Sequence, residues 1–399
     1  MSASILAIDA QALRFNIRAM RARAPEKFCF AVLKADAYGL GAVEVAHILE
    51  KEMDGICVAT PSEGYALRDA GISHPILVLG YVAAGEVAPM VRLGIRPALF
   101  TRDAAQRFSE EAIRQGVVCP VHIALDTGHS RIGFMADDPH TPDEIAAITA
   151  MPGLRIEGVF SHFATADEED VAFTEIQTER FARVIDAMRA RGIDPGIRHL
   201  ANDAGVLVHA PQTLFDGFRL GIGLYGVYPS DIVAKKTGIR LKPVASWSSV
   251  VSHVKTVEAG TTISYGRLWK APKRTRIATV QAGYADGLRR AMTGRAEVLI
   301  QGVRCPVRGS ICMDQLMVEI GNLDVSVGDR VTIFGKDETG AELPVEELAL
   351  WADTIPYEIL TGLSTRMTRV YQNRREDASL EAGAFFEKSS KQDVRGRLC

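Results

Sequence analysis

The chain has 399 residues, a formal net charge of −3 and 47% hydrophobic residues. This length is sufficient for two domains with their own cores, and the composition is that of an ordinary globular protein. The small net charge gives no indication of nucleic acid or an acidic membrane surface as a partner, and we predict neither. The N-terminus does not have the pattern of a signal peptide, and no apolar run reaches the ~18 residues that a membrane helix requires.

Six cysteines are scattered along the chain without a CxxC pair. This spacing argues against a disulfide framework and against structural zinc, and it indicates reduced thiols in a cytoplasmic protein. A metal-dependent or phosphosugar-dependent barrel enzyme would also need clustered carboxylate and histidine ligands, and we find no such cluster in the sequence. We therefore predict no metal site.

Residues 1–238 alternate between short apolar runs and amphipathic helical stretches, such as PSEGYALRDAG and TRDAAQRFSEEAIRQG. Eight strands with helices between them over roughly 230 residues predict an α/β fold, a (β/α)8 TIM-type barrel. The alternative is a doubly wound open sheet, which would normally carry a GxGxxG turn after its first strand, and none occurs. The eight strand candidates are FCFAVL, GICVAT, PILVLG, RPALF, VHIALD, IEGVFS, IRHLA and FDGFRLG.

The pattern changes near residue 239, where long amphipathic helices give way to period-two alternation. Stretches such as SWSSVVSHVKTV, AEVLIQGVRCPVRG and GDRVTIFG predict a mostly antiparallel β domain over residues 239–375, with one helical piece, PVEELALWADTI. We expect the first residues of the chain to pair with this domain. Residues 376–399 have no clear periodicity, and we expect them to form a mobile tail.

Lys34 stands at the end of the first predicted strand, before a polar turn that contains Asp36, Tyr38 and two glycines. An ammonium group is costly to bury without a partner, so this lysine has two interpretations. Its ammonium can extend past the strand end into water, or its amine can be desolvated and form a Schiff base with an aldehyde. The local sequence does not decide between them.

Polar residues also follow other predicted strands, at the barrel end where enzymes of this fold carry their reactive groups. Taken singly, each has a structural interpretation, such as a hydrogen-bonded core histidine or a loop brace. Arg219 is harder to explain in this way, because it lies between two apolar residues and its guanidinium must find a partner inside the fold. The glycine-rich segment after it offers backbone N–H donors, as in many barrels that bind a phosphate. With Lys34, these residues indicate a site for a phosphorylated aldehyde; they are Asp126, Arg131, Ser161, His162, His199, Asn202, Asp203 and Arg219.

A series of motifs then matches one family in order: VLKADAYGLG, HSRIGF, SHFAT, FRLGIGLYG, ISYGR, AGYADG, ICMDQLMV and IPYEIL. From residue 5 to residue 372 the chain resembles the alanine racemases, bacterial enzymes with a barrel, a C-terminal β domain and the cofactor pyridoxal 5'-phosphate. The resemblance implies interconversion of L- and D-alanine by two bases, which supplies D-alanine for peptidoglycan. It also implies a cytoplasmic homodimer whose active site is shared between the two chains.

The resemblance implies a role for each matching residue. Lys34 is expected to be the Schiff-base lysine and one catalytic base, and Tyr265, delivered from the partner subunit, the second base. Arg219 is expected to face the pyridine nitrogen. The expected cofactor contacts are Lys34, Tyr38, His162, Asn202, Asp203, Arg219, Gly221, Ile222 and Tyr357, and the expected substrate contacts are Arg131, Tyr284 and the partner-derived Met313 and Asp314.

Elementary chemistry is consistent with these roles. Racemisation removes a proton from one face of Cα and delivers another to the opposite face, so it requires two bases. An arginine at the pyridine nitrogen stays protonated and keeps that nitrogen unprotonated, which weakens the cofactor as an electron sink and limits side reactions. A tyrosine has an ordinary pKa of ~10, so it needs a nearby cation such as Arg131 to act as a base.

Three positions depart from the family pattern. Leu40 stands where a histidine is usual. Asp203 stands where a serine hydroxyl commonly donates to the phosphate, and because a carboxylate would repel that group, we predict that its side chain points elsewhere while its backbone N–H still contributes. Ala124 stands where many relatives carry a carbamylated lysine that braces the arginine. Arg131 must then be held in another way, through His129 or a bound anion, and the range of substrates could include larger amino acids such as serine.

Two further functions remain open. A fold-related decarboxylase for a basic or diamino acid is one, although the compact β domain with its ISYGR and CMDQ elements speaks against it. The other is a non-catalytic protein that carries the cofactor. Those proteins resemble the barrel alone, so residues 240–372 would have no explanation.

Overall fold

The computed structural model describes residues 3–374, so the segment 376–399, for which we expected a mobile tail, lies outside the described residues. The chain begins with strand β1 (Ile5–Asp9) and helix α1 (Ala10–Arg21). Asp9 caps this helix, because its carboxylate accepts hydrogen bonds from the N–H groups of Gln11 and Ala12. These two elements connect the two domains.

Eight parallel strands form a closed barrel, which confirms the predicted fold class. Each strand pairs with its neighbours in the ring, and the pairing of β5 with β6 completes the closure. A two-residue strand, β7, lies beside β6 outside the ring. The strands are β2 (Phe28–Val32), β3 (Gly55–Val58), β4 (Ile76–Val78), β5 (Arg96–Leu99), β6 (Cys119–Asp126), β7 (Phe134–Met135), β8 (Leu154–Phe160), β9 (Ile197–Ala201) and β10 (Gly217–Leu220).

Helices follow most of the barrel strands and cover the outside of the ring. The helix after β3 starts at a capping box, in which Thr60 and Glu63 satisfy each other's backbone N–H groups and a proline occupies the first turn. The barrel helices are α2 (Ala42–Ile48), α3 (Pro61–Asp69), α4 (Ala84–Arg92), α5 (Arg102–Gln115), α6 (Thr141–Thr149), α7 (Ala172–Ala190), α8 (Asp203–Val208) and α9 (Asp231–Lys236), with a 3-10 turn at Ile222–Tyr225.

The C-terminal domain is a mostly antiparallel sheet built around the long strand β11, as predicted. β1 completes it, since it runs antiparallel to β11 and parallel to the last strand, β20. Helices α10 (Val345–Trp351) and α11 (Pro356–Thr361) precede that last strand. The strands are β11 (Ala245–Val257), β12 (Thr262–Ile263), β13 (Trp269–Lys270), β14 (Thr275–Val280), β15 (Glu297–Ile300), β16 (Val303–Pro306), β17 (Leu316–Glu319), β18 (Arg330–Lys336), β19 (Glu342–Leu343) and β20 (Thr368–Gln372).

Several properties of the described residues bear on function. Between residues 3 and 374, no helix is both long enough and apolar enough to cross a membrane. The five cysteines in this part of the chain are free thiols, four of them buried. In the same residues, no three His, Cys, Asp or Glu side chains are grouped so that they could hold a metal ion.

Candidate active site

The backbone after β2 adopts the left-handed helical conformation. Residues 35–38, none of them glycine, have φ values between +52° and +56°. Such a conformation costs roughly 1–2 kcal/mol per residue, so other parts of the fold must hold it. The carboxylate of Glu63 accepts a hydrogen bond from Ala35 N at 2.7 Å, and that of Asp36 accepts one from Ala42 N at 2.8 Å. The sequence predicted a turn here, but not its handedness.

The last strand of the C-terminal domain holds the same turn from the other side. Arg369 donates from Nε and Nη2 to the carbonyl oxygen of Gly39 at 3.0 and 2.7 Å, and the hydroxyl of Tyr371 donates to the carbonyl oxygen of Leu40 at 2.7 Å. Leu40, where the family pattern has a histidine, is fully buried. The position of Lys34 at the start of the turn therefore depends on both domains.

A cavity of about 510 Å³ opens beside this turn, at the end of the barrel where the strands finish. Helix α11 contributes one wall, and the barrel strands contribute the floor. Ile222, another expected contact, is fully buried next to Gly221. The expected site residues that line the cavity are Lys34, Tyr38, Arg131, His162, Asn202, Asp203, Arg219, Gly221 and Tyr357.

Lys34 is half-buried at the edge of this cavity. Burial lowers the pKa of its amine, and the positive charge of Arg131 lowers it further. Both effects favour the neutral amine, which is the nucleophilic form. Both effects are those expected of the desolvated amine, and the Schiff-base role of Lys34 stays a prediction.

Arg219 is buried in β10 and, within residues 3–374, has no carboxylate partner. Its Nη2 donates to the carbonyl oxygens of Ser161 at 2.6 Å and Leu200 at 3.2 Å, and its Nη1 to that of His199 at 2.6 Å. It also contacts ring nitrogens, His199 Nδ1 at 3.0 Å and His162 Nδ1 at 3.1 Å. Burial lowers the pKa of this guanidinium to about 10, so it remains a cation at neutral pH.

A chain of hydrogen bonds runs from Arg219 through the barrel interior. Because Arg219 donates to Nδ1 of His199, the proton of this ring lies on Nε2, which is 2.8 Å from Nδ1 of His122. The His122 proton then lies on Nε2, 3.5 Å from the carboxylate of Glu157, which in turn pairs with Arg96 at 2.8 Å. Burial lowers the pKa of both histidines, so both rings are neutral. This chain fixes the orientation of Arg219 without an adjacent negative charge.

The carboxylate of Asp203 points to the glycine-rich loop after β10, where it accepts hydrogen bonds from the N–H groups of Gly221 at 3.0 Å and Gly223 at 3.2 Å. That this side chain points away from the phosphate stays a prediction. A buried carboxylate must have donors, and the loop amides are the donors that its position at the end of β9 brings within reach. Burial raises the pKa of this carboxyl to about 7, although the same hydrogen bonds oppose the rise.

Comparison with known proteins identifies the family. Residues 8–229 match the description "Alanine racemase, N-terminal domain", and residues 244–371 match "Alanine racemase, C-terminal domain". The chain belongs to the alanine racemase family. It is 41% identical over 367 residues to the alanine racemase of Desulforamulus reducens and 42% identical over 370 residues to that of Symbiobacterium thermophilum. The alignments cover 91% of this chain in both cases, and 97% and 96% of those proteins.

Solved structures of alanine racemases have the same fold. The Clostridium difficile 630 enzyme in complex with cycloserine superposes with a TM-score of 0.87 at 36% identity, covering 94% of this chain and 97% of that one. The Bacillus anthracis enzyme with bound L-Ala-P superposes with a TM-score of 0.87 at 32% identity, covering 94% and 96%. The family resemblance predicted from the motifs is therefore confirmed.

Arg131 is weakly constrained among the residues that match the alanine racemase family. It is exposed at the cavity rim, and no side chain within residues 3–374 forms a hydrogen bond or an ion pair with its guanidinium. Ala124, at the position where many family members carry a modified lysine, is buried in β6 and offers no polar group. The ring of His129 lies against that of His162, with centroids 5.6 Å apart, so His129 does not brace Arg131 as we had considered.

Four expected alanine racemase site residues lie on the surface of the C-terminal domain instead of in the cavity of their own chain. Two hydrogen bonds connect the segments that carry them: Tyr284 N–H donates to Cys312 O at 3.0 Å, and the side-chain hydroxyl of Ser310 donates to Tyr265 O at 3.0 Å. Tyr265 is 70% exposed. These exposed residues are Tyr265, Tyr284, Met313 and Asp314.

Three residues that support the turn after β2 were not identifiable from sequence motifs. Glu63, Arg369 and Tyr371 match no motif that we singled out, and their partners lie far away in the sequence. One signal was available: Arg369 and Tyr371 are two residues apart in TRVYQ, and such residues point to the same face of a strand. That spacing indicates a polar pair, but not which backbone it contacts.

Proposed function

We propose that this chain is a pyridoxal-phosphate-dependent alanine racemase that interconverts L- and D-alanine. One observation carries the proposal: the partly desolvated amine of Lys34 lines the same cavity as the guanidinium of Arg219, which has no carboxylate partner within residues 3–374. A lysine amine can form an imine with an aldehyde. An arginine, which stays protonated, can donate a hydrogen bond to a ring nitrogen that must stay unprotonated. The residues present therefore fit this cofactor.

When bound, pyridoxal phosphate supplies an electron sink that makes the Cα–H of an amino acid acidic. Lys34 would hold the cofactor covalently and remove or return the Cα proton on one face. Tyr265 from a second copy of the chain would do the same on the opposite face. Arg131 would supply the nearby positive charge that a tyrosine needs to lose its proton near neutral pH.

The other lining residues would position the cofactor. Arg219 would donate to the pyridine nitrogen, with His162 beside it. Burial raises the pKa values of Tyr38 and Tyr357 well above the ordinary value, so both side chains remain phenols that can donate hydrogen bonds to a phosphate. Asn202, Asp203 and the backbone of Gly221 and Ile222 complete the proposed phosphate site, and Met313, Asp314 and Tyr284 would face the substrate.

The exposure of Tyr265 supports a shared active site. A base that is 70% exposed and lies outside the cavity of its own chain needs a second subunit in order to reach a substrate there. We therefore propose a homodimer in which each cavity is completed by the other chain. Under this proposal the enzyme acts in the cytoplasm and supplies D-alanine for peptidoglycan.

The test is a pair of variants. Lys34→Ala should lose both the visible absorbance of the bound cofactor and all turnover. Tyr265→Phe should keep the absorbance but exchange the Cα proton with solvent from only one alanine enantiomer, because one of the two faces keeps its base. Equal loss of exchange from L- and D-alanine in Tyr265→Phe would reject the two-base role, and a Lys34→Ala protein with normal cofactor absorbance would reject the site.

A racemase of broader specificity is the second candidate. It is favoured by Arg131, which has no side-chain partner within residues 3–374 and can move at the cavity rim to admit substrates larger than alanine, such as serine. A circular-dichroism assay of each L-amino acid, with pyridoxal phosphate added, distinguishes the two. Release of carbon dioxide in the same assay would instead identify a decarboxylase.

A further inference from the structure

The Asp203 carboxylate accepts hydrogen bonds from Gly221, a backbone donor of the proposed phosphate site, and from the neighbouring Gly223. Its two oxygens lie 3.1 and 3.0 Å from the backbone nitrogen of Gly221, and Oδ1 lies 3.2 Å from that of Gly223. A Cβ placed on Gly221 would lie 3.1 Å from Oδ2 of Asp203 and 2.9 Å from the hydroxyl oxygen of Tyr38. The carboxylate, the glycine and the phenol therefore form one continuous wall of the cavity.

No side-chain cation within residues 3–374 forms an ion pair with this carboxylate. Arg219 is the one cation among the titratable groups that face it, and its guanidinium donates to carbonyl oxygens and histidine nitrogens instead. Backbone N–H groups, chiefly those of Gly221 and Gly223, oppose the cost of burying this charge. The titratable groups that face Asp203 are Cys29, Tyr38, Arg219, Tyr225 and Tyr357.

We propose that Asp203 recognises the cofactor phosphate in its protonated form, so that binding of pyridoxal phosphate takes up one proton from solvent. This inference rests on the proposed function. In the free protein, the carboxylate accepts hydrogen bonds from Gly221 and Gly223. On binding, it gains a proton, releases those N–H groups to the phosphate dianion and donates its own O–H to a phosphate oxygen. No covalent bond other than this O–H is made in the step.

We place the proton on the carboxyl because it faces the loop amides without a cation partner within residues 3–374. Burial raises the pKa of this carboxyl to about 7, close to the second pKa of a phosphate monoester, about 6. Leaving both groups charged would place two anions against the same loop amides without a cation between them. A protonated Asp203 supplies the donor that a serine hydroxyl supplies in the family pattern.

Titration of the apoprotein with pyridoxal phosphate tests the proposal. The wild-type affinity should fall by up to about tenfold per pH unit above pH 7, because the proton must be taken from increasingly dilute solution. Asp203→Asn, which has the same shape without the charge, and Asp203→Ser should show a flatter pH dependence. Calorimetry at pH 8, in buffers with different ionisation enthalpies, should show about one proton more taken up by the wild type than by either variant.

Two further measurements need no variant. Pyridoxal without its phosphate should bind the wild type with about one proton less taken up than pyridoxal phosphate does. The phosphorus NMR shift of the bound cofactor should report the dianion at pH 7.

Equal pH slopes of affinity and equal proton uptake for wild type and Asp203→Asn would overturn the inference, as would a bound phosphate monoanion. The proposed function would fail in a different way. The wild type would bind no pyridoxal phosphate, or the Lys34→Ala variant would bind it as the wild type does.

Discussion

Tyr371 donates its hydroxyl to the carbonyl oxygen of Leu40 across 331 positions of sequence, at 2.7 Å. This hydrogen bond joins the last strand of the C-terminal domain to the left-handed turn that begins at Lys34. A turn with four consecutive non-glycine residues at positive φ does not persist without such support. The C-terminal domain therefore shapes the barrel-end site of its own chain, besides presenting Tyr265 on its surface.

Removing this hydrogen bond should loosen the turn and weaken cofactor binding. We expect Tyr371→Phe to raise the Kd for pyridoxal phosphate about 2- to 10-fold, since one hydrogen bond contributes roughly 0.5–1.5 kcal/mol. Absorbance titration of the apoprotein measures this Kd. Tyr228→Phe is the matched control, because that hydroxyl bonds to the backbone of Ile239 and Leu241 away from the cavity. Equal Kd values for Tyr371→Phe and the control would show that the turn does not need this hydrogen bond.

Gly283 should tolerate no side chain, because its neighbours are backbone atoms. A Cβ at this position would lie 2.2 Å from the carbonyl oxygen of Met313 and 2.5 Å from the nitrogen of Asp314. Gly283→Ala should therefore displace the segment that carries these two proposed substrate contacts and lower kcat/KM by at least about tenfold, a cost of roughly 1.4 kcal/mol. Gly85→Ala, with open space around its Cβ, should leave the rate unchanged. An unchanged rate for Gly283→Ala would mean that this segment does not contribute to turnover.

A mixed dimer should recover activity that neither parent variant has. If Tyr265 acts in the partner's cavity, a mixture of Lys34→Ala and Tyr265→Phe chains forms dimers in which one of the two sites has both bases. Random exchange of subunits should then give about a quarter of the wild-type alanine racemisation rate. The parent variants, treated in the same way alone, are the controls. Absence of recovery, with subunit exchange verified by mass, would place Tyr265 and Lys34 in the same chain's site.

The buried histidine pair should make the apoprotein less stable in acid. Burial lowers the pKa of His122 and His199 below the ordinary value of 6.5, so below pH 6.5 the unfolded chain binds more protons and stability is lost as the pH falls. Each histidine contributes a slope of up to about 1.4 kcal/mol per pH unit. Asp203 has the opposite effect on the free energy of unfolding. Its folded-state pKa is raised to about 7, so its contribution to stability increases as the pH falls over this range.

Urea unfolding of the apoprotein between pH 5 and pH 8 measures this slope. His122→Gln should reduce the slope below pH 6.5, and Asp203→Asn should steepen it, because it removes the opposing contribution. His253→Gln, at an exposed position on β11, is the control and should leave the slope unchanged. A stability curve for His122→Gln that runs parallel to the wild-type curve would contradict the assignment of a neutral buried pair.

Much of the fold follows from local pattern. The eight apolar runs became the eight barrel strands, and the loss of helical periodicity near residue 239 marked the antiparallel domain. Lys34 and Arg219 were identifiable because a charged residue at the end of a buried strand, or within one, is unfavourable without a local reason. The periodicity of apolar residues and a charged residue within an apolar run can both be recognised from neighbouring residues in the sequence, so neither requires knowledge of distant contacts.

The amino-acid sequence by itself determined the barrel, the sheet domain, the family and the lysine and arginine at the end of the barrel. Only the tertiary structure decided which partners the polar groups have: Asp203 turns to the amides of Gly221 and Gly223, and Tyr371 holds the turn after Lys34. It also decided that Tyr265 lies outside the cavity of its own chain. The physical reason is that a hydrogen bond depends on donors and acceptors brought together from distant segments, whereas burial is encoded residue by residue.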